Sequence, residues 1–101
     1  MNRGKFREAE EHYFREIELN PHYDNVYLNL GLLYYGAGFL DKAQAAWETA
    51  IKINPELAKV YADLAVLNYQ RKDIGKAKFY IGLMREKGFY VPPEILNLVE
   101  K

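Results

Sequence analysis

The 101-residue chain contains no cysteine. Disulfide frameworks, cysteine-ligated zinc and thiol nucleophiles are therefore excluded, although the redox compartment is not fixed by that absence. Neither charge is in surplus: 14 Lys+Arg face 14 Asp+Glu. A sequence-independent nucleic-acid binder needs excess cations to neutralise phosphates, and a polybasic membrane-surface domain needs the same excess. No nucleic-acid partner is expected on that ground. No apolar run approaches the ~20 residues of a membrane span, so direct membrane insertion is not expected. Met1 leads straight into a charged segment where a signal peptide would carry an apolar one. These absences favour a soluble chain; the cytoplasm is slightly favoured, but the sequence assigns no compartment. Proline occurs only four times, at Pro21, Pro55, Pro92 and Pro93, and each of these places proves informative.

What is present argues for a packed core. Half of the residues are hydrophobic and 15% are aromatic, nine of them Tyr, a composition opposite to that of disordered chains. The sequence also repeats itself at an offset of 34 residues. Ala9, Ala43 and Ala77 share one register, as do Phe6, Leu40 and Ile74, and Tyr13, Trp47 and Ile81. Asn20-Pro21 recurs as Asn54-Pro55, Val26-Tyr27 as Val60-Tyr61, Leu30 as Leu64, Leu33 as Leu67 and Tyr35 as Tyr69. Internal repetition at such a period marks a repeat architecture.

Within the unit the periodicity is helical. Val26, Tyr27, Leu30, Leu33 and Tyr34 form one apolar stripe. Gly36-Ala37-Gly38 breaks it with a turn. Leu40, Ala43, Ala46, Trp47, Ala50 and Ile51 then form a second stripe, with Asp41 in its first turn where the helix dipole favours an acid. Asn54-Pro55 ends it, because a residue before Pro avoids the helical region. Helices are expected over roughly 5–19, 24–36, 40–53, 58–71, 74–87 and 93–100. Gly88 is expected to close the fifth in a left-handed conformation, and Pro92-Pro93 to open the sixth. The sixth carries Ile95, Leu98 and Val99 on one face and Glu94, Asn97, Glu100 and Lys101 on the other.

Segment 24–57 resembles a tetratricopeptide repeat, whose 34-residue unit is helix, turn, helix. Tyr27, Leu30-Gly31, Tyr34, Ala43, Trp47, Ala50 and Pro55 carry that pattern without a gap. Segment 58–91 resembles it more loosely through Tyr61, Leu64-Ala65 and Ala77, with Asn68, Met84 and Phe89 where Tyr, Ala and Pro are usual. Segment 1–23 matches the second half of a unit through Ala9, Tyr13 and Pro21. The resemblance implies one all-α domain over 1–101. It would be built of antiparallel helix-turn-helix repeats stacked as a short right-handed superhelix, with residues 92–101 as a capping helix.

No catalytic set can be assembled. His12 and His22 are isolated, with no metal-ligand spacing around them. Gly36-Ala37-Gly38 lies between two helices and lacks the Lys-Ser/Thr tail of a phosphate cradle. Glu8, Glu10 and Glu11 fit a solvated helix face, and so does the basic cluster Arg71, Lys72, Lys76 and Lys78. No enzyme activity, cofactor or metal is expected.

The resemblance implies a protein–protein interaction scaffold whose concave face is lined by the first helix of each repeat. Those positions are Asn25, Leu28, Asn29, Leu32 and Tyr35 in the first full unit and Lys59, Ala62, Asp63, Val66 and Tyr69 in the second. Helix 24–36 has apolar side chains on more than one side, which suits a binding surface for a protein or peptide partner, with Tyr35 and Tyr69 as anchors. In chaperone-docking members a Lys, Asn and Arg clamp grips a C-terminal carboxylate. Asn29 and Lys59 stand at two clamp positions, but Asp63 stands where Arg is needed and would repel the carboxylate, so that subclass is not expected. Two alternatives remain open. One is a homo-oligomer built through the first helix, whose side bearing Ala9, Tyr13 and Glu16 lacks a partner helix. Residues 1–57 hold six Lys/Arg against nine Asp/Glu and residues 58–101 eight against five, so unlike ends of two copies could meet. The other is a carrier of an apolar small molecule or lipid.

Overall fold

A computed structural model describes residues 3–100 of the chain. All six expected helices form: α1 (Arg3–Leu19), α2 (Asp24–Gly36), α3 (Leu40–Ile53), α4 (Ala58–Gln70), α5 (Ile74–Glu86) and α6 (Pro93–Val99). They fall into two compact units, Met1–Pro55 and Glu56–Lys101.

In the first unit α2 and α3 pack against each other across a three-residue turn, and α1 packs on α2. Val26, Leu30, Leu33 and Tyr34 of α2 are buried with Ala43, Ala46, Trp47 and Ala50 of α3. Each large apolar side chain so buried stabilises the unit by about 1.5–3 kcal/mol, and the three alanines let the backbones approach closely. Tyr27, expected to point inward, is only half-buried. Asp24 ties the start of α2 to the end of α3: its Oδ2 accepts a hydrogen bond from Asn54 Nδ2 at 2.9 Å.

Helix α1 buries no residue completely. Ala9, Tyr13 and Glu16 are half-buried, and Glu16 pairs with His12 one turn before it. The helix is held instead by Phe6, whose ring centroid lies 6.0 Å from that of Tyr34 and 5.6 Å from that of Phe39. A hydrogen bond of 2.6 Å from Tyr34 Oη to Glu10 Oε2 adds to this. Glu10 thereby departs from the solvated face expected for it. Glu8 and Glu11 are exposed, whereas Glu10 is half-buried because its carboxylate takes the Tyr34 hydroxyl.

The second unit repeats the plan with α4 against α5, and α6 packs on both. Val60, Tyr61, Leu64, Ala65 and Leu67 are buried with Ala77, Tyr80, Ile81 and Met84. Asn68, also buried, satisfies its Nδ2 by donating to the Leu64 carbonyl at 2.8 Å. From α6, Ile95 is buried and Leu98 and Val99 are half-buried, while Glu94, Asn97 and Glu100 stay exposed. Glu100 meets Arg85 at 3.0 Å. Lys101, expected on that wet face, lies outside the described residues.

The repetition extends to single hydrogen bonds. At the end of α2, Phe39 N–H donates to Tyr34 O at 2.9 Å and Gly38 N–H to Tyr35 O at 3.1 Å. At the end of α4, Asp73 N–H donates to Asn68 O at 2.8 Å and Lys72 N–H to Tyr69 O at 2.9 Å. At the end of α5, Phe89 and Gly88 make the same pair of bonds to Met84 and Arg85, at 2.9 and 3.0 Å. All three are Schellman closures, which place one left-handed residue after the helix. Gly38 and Gly88 adopt it with φ of 85° and 76°, and Lys72 adopts it with φ of 65°. Helices α1 and α3 end in a second shared way: Asn20 N–H donates to Glu16 O and Asn54 N–H to Ala50 O, both at 2.9 Å, and the following Pro stops the helix.

Candidate functional site

The five positions on α2, from Asn25 through Leu28, Asn29 and Leu32 to Tyr35, follow the spacing that shares one helix face. The buried stripe of Val26, Leu30, Leu33 and Tyr34 takes the other side. Asn25 and Asn29 are exposed, Leu28 is half-buried, and Leu32 is 43% exposed. Tyr35 is half-buried, its ring centroid 5.7 Å from that of Trp47 on α3. Trp47 Nε1 donates to the Leu28 carbonyl at 3.2 Å. The core residue Trp47 therefore supports this strip at two points along α2. The arrangement is an apolar strip of Leu28, Leu32 and Tyr35 edged by two amides, which suits a backbone that needs both apolar contact and hydrogen-bond partners.

The matching strip on α4 is more polar. Lys59 is exposed, and Ala62, Asp63, Val66 and Tyr69 are half-buried. Lys59 Nζ lies 3.6 Å from Asp63 Oδ2. Burial pushes the Asp63 carboxyl above its ordinary pKa, and the Lys59 ammonium only partly offsets this. An anionic group approaching this strip meets a carboxylate already short of solvation.

None of the ten expected positions is buried, and each set of five lies along one helix. The sequence reading missed a second feature of the first unit. Arg3, Phe6, Arg7 and Glu10 of α1 line a cleft with Gly36, Ala37 and Phe39 at the turn after α2. Its one legible signal is the four-residue spacing of Arg3 and Arg7, which sets both on one helix face.

Residues 25–57 match the family model of the tetratricopeptide repeat. A comparison with curated proteins gave no match. The family match and the succession of six helices fit a tetratricopeptide-type repeat protein. Such repeats are in general protein–protein interaction modules and typically non-enzymatic scaffolds. No described helix is long and apolar enough to cross a membrane.

Proposed function

We propose that this tetratricopeptide-type chain is a protein-binding module that holds a partner segment on the outward strip of α2, the strip of α4 being the corresponding surface of the second unit. The observation that carries the reading is Leu32. It is a large apolar residue, 43% exposed in the middle of a well-packed helix, flanked one turn away by Leu28 and Tyr35. A partner that buries this strip gains about 25 cal/mol per Å² of apolar surface removed from water. Asn25 and Asn29 supply donors and acceptors along its edge. The occupant is an amphipathic or apolar peptide segment, lying as a helix or an extended strand.

The test uses peptides selected by display against the intact chain. Leu32→Asp changes only an exposed position, so helicity is retained, and affinity for the selected peptides falls at least about tenfold, equivalent to ~1.4 kcal/mol. Unchanged affinity overturns the reading. Tyr35 is less suitable as a probe, because its contact with Trp47 mixes binding with packing.

A second reading, self-association through α1, is favoured by Phe14 and Leu19, which are 45% and 87% exposed. Light scattering after size exclusion, repeated at two concentrations, separates the two. A concentration-dependent dimer makes α1 an interface, and a monomer at both concentrations removes that reading.

A further inference from the structure

The cleft between α1 and the turn after α2 has the chemistry of a binding site that the α2 and α4 strips do not include. Its volume is about 420 Å³, within the range of small-ligand and side-chain pockets. Arg3 and Arg7 stand one helical turn apart on its wall, both exposed. Neither guanidinium has an ionic or hydrogen-bonding partner among the described residues. Phe6 and Phe39 pack edge-on beside them at 5.6 Å between ring centroids. Outside the cleft lining, Lys42 Nζ lies 5.5 Å from the Phe39 ring centroid and 5.6 Å from that of Tyr34. The single anion lining the cleft is Glu10, and its carboxylate is already engaged by the Tyr34 hydroxyl. Two guanidinium groups against one engaged carboxylate leave the cleft lining net positive on a chain whose net charge is zero.

We propose that this cleft binds a short acidic peptide segment carrying an aromatic side chain. Guanidinium groups grip carboxylates through paired hydrogen bonds, which an ammonium cannot do. Two guanidinium groups one turn apart start from Cβ atoms about 5–6 Å apart. In an extended peptide, side chains two residues apart lie on the same side at about 6.5 Å. Two acids separated by one residue therefore match Arg3 and Arg7. An aromatic side chain on the same peptide meets Phe6 and Phe39, which line the cleft beside the two arginines. The occupant thus carries two acids separated by one residue and a nearby aromatic side chain. A peptide is favoured over a phosphate compound because the cleft lacks a backbone cradle and pairs its cations with aromatic walls. The proposal stands apart from the reading of the α2 strip, since the two surfaces share no residue.

The probe is the capped peptide Phe-Ser-Asp-Ser-Asp, with Phe-Ser-Asn-Ser-Asn as its uncharged counterpart, titrated into the intact chain and followed by amide NMR shifts. Saturable shifts at Arg7, Gly36, Ala37 and Phe39, with the Asn peptide at least tenfold weaker, are expected. Arg3→Gln with Arg7→Gln, both at exposed positions, removes the binding and keeps the helical spectrum. Gly36→Leu tests the same cleft without touching charge. A Cβ at Gly36 meets no atom within 4 Å, so the larger side chain occupies the opening and blocks the peptide. No saturable shift up to millimolar peptide overturns the proposal. So does equal binding of the two peptides, or full displacement by equimolar inorganic phosphate. Shifts confined to Leu28, Leu32 and Tyr35 also overturn it and credit the α2 strip instead.

Discussion

Trp47 occupies the space that a side chain at Gly31 would need. A Cβ built on Gly31 falls within the indole of Trp47, overlapping Nε1, Cδ1 and Cε2. The same indole donates from Nε1 to the Leu28 carbonyl, three residues earlier on α2. One ring therefore sets both the spacing of α2 from α3 and the support beneath the exposed strip. In the second unit the same registers hold Ala65 and Ile81, both buried. There a larger residue stands on the first helix and a smaller one on the second.

That exchange yields a paired prediction. Gly31→Ala forces the indole to move and destabilises the protein by about 1–3 kcal/mol, the usual range for overpacking. The helix propensity of Ala, better than Gly by ~1 kcal/mol, offsets only part of this. Trp47→Ile alone leaves a cavity and costs several kcal/mol. The double variant, which recreates the Ala65 and Ile81 combination, is more stable than the sum of the single changes allows. Urea unfolding of all four proteins completes the cycle, and strict additivity contradicts the arrangement.

Lys72 gives a prediction of opposite sign. It sits at the left-handed closing position of α4 with φ of 65°, where the corresponding residues of α2 and α5 are Gly38 and Gly88. A side chain there carries a steric cost of roughly 1–2 kcal/mol. The extra freedom Gly has in the unfolded chain returns part of that. Lys72→Gly is expected to raise stability by about 0.5–1 kcal/mol, and Gly38→Ala to lower it by a similar amount. Thermal unfolding reads both, and a lower melting temperature for Lys72→Gly contradicts the first.

The features legible in the sequence are those written in local spacing. The Leu30-Gly31 and Trp47 positions, the glycine at 38 and the Asn-Pro pairs located the helices to within two residues, because each acts within one turn of its own position. Lys72 shows where that logic runs out: its left-handed geometry was visible only through its register with Gly38, since a lysine signals no turn by itself. The Glu10 to Tyr34 bond spans 24 residues, and the Arg3 and Arg7 cleft needs α1 to meet the turn at Phe39. Neither follows from periodicity, which assigns a face to a residue without naming its neighbour. The ten positions on α2 and α4 came from the family resemblance, and their exposure depends on packing that no single stripe specifies.

Asp63 supplies the pH-dependent prediction. Its carboxyl is raised above the ordinary Asp value, first by burial, with Lys59 acting in the lowering direction. The folded chain therefore holds that proton more tightly than the unfolded chain. The resulting stability is fully present below the unfolded pKa and is lost as pH rises through the raised folded value. At neutral pH the ionised, half-buried carboxylate is a net cost. Its pairing with Lys59 recovers little, since the ammonium is 75% exposed. Asp63→Asn keeps the shape and removes the charge. The variant is expected to be more stable than the parent at pH 7, with the advantage shrinking as pH falls into the carboxylate range and vanishing below the ordinary Asp value. Urea midpoints at pH 7, 5 and 3 give the profile. A constant difference at all three would assign the effect to packing, and a parent more stable at pH 7 would mean that the Lys59 pair outweighs burial. The same substitution removes the repulsion that Asp63 presents to anionic groups on the α4 strip, so any gain in affinity for acidic peptides at that strip should appear at neutral pH and fade in parallel with the stability difference.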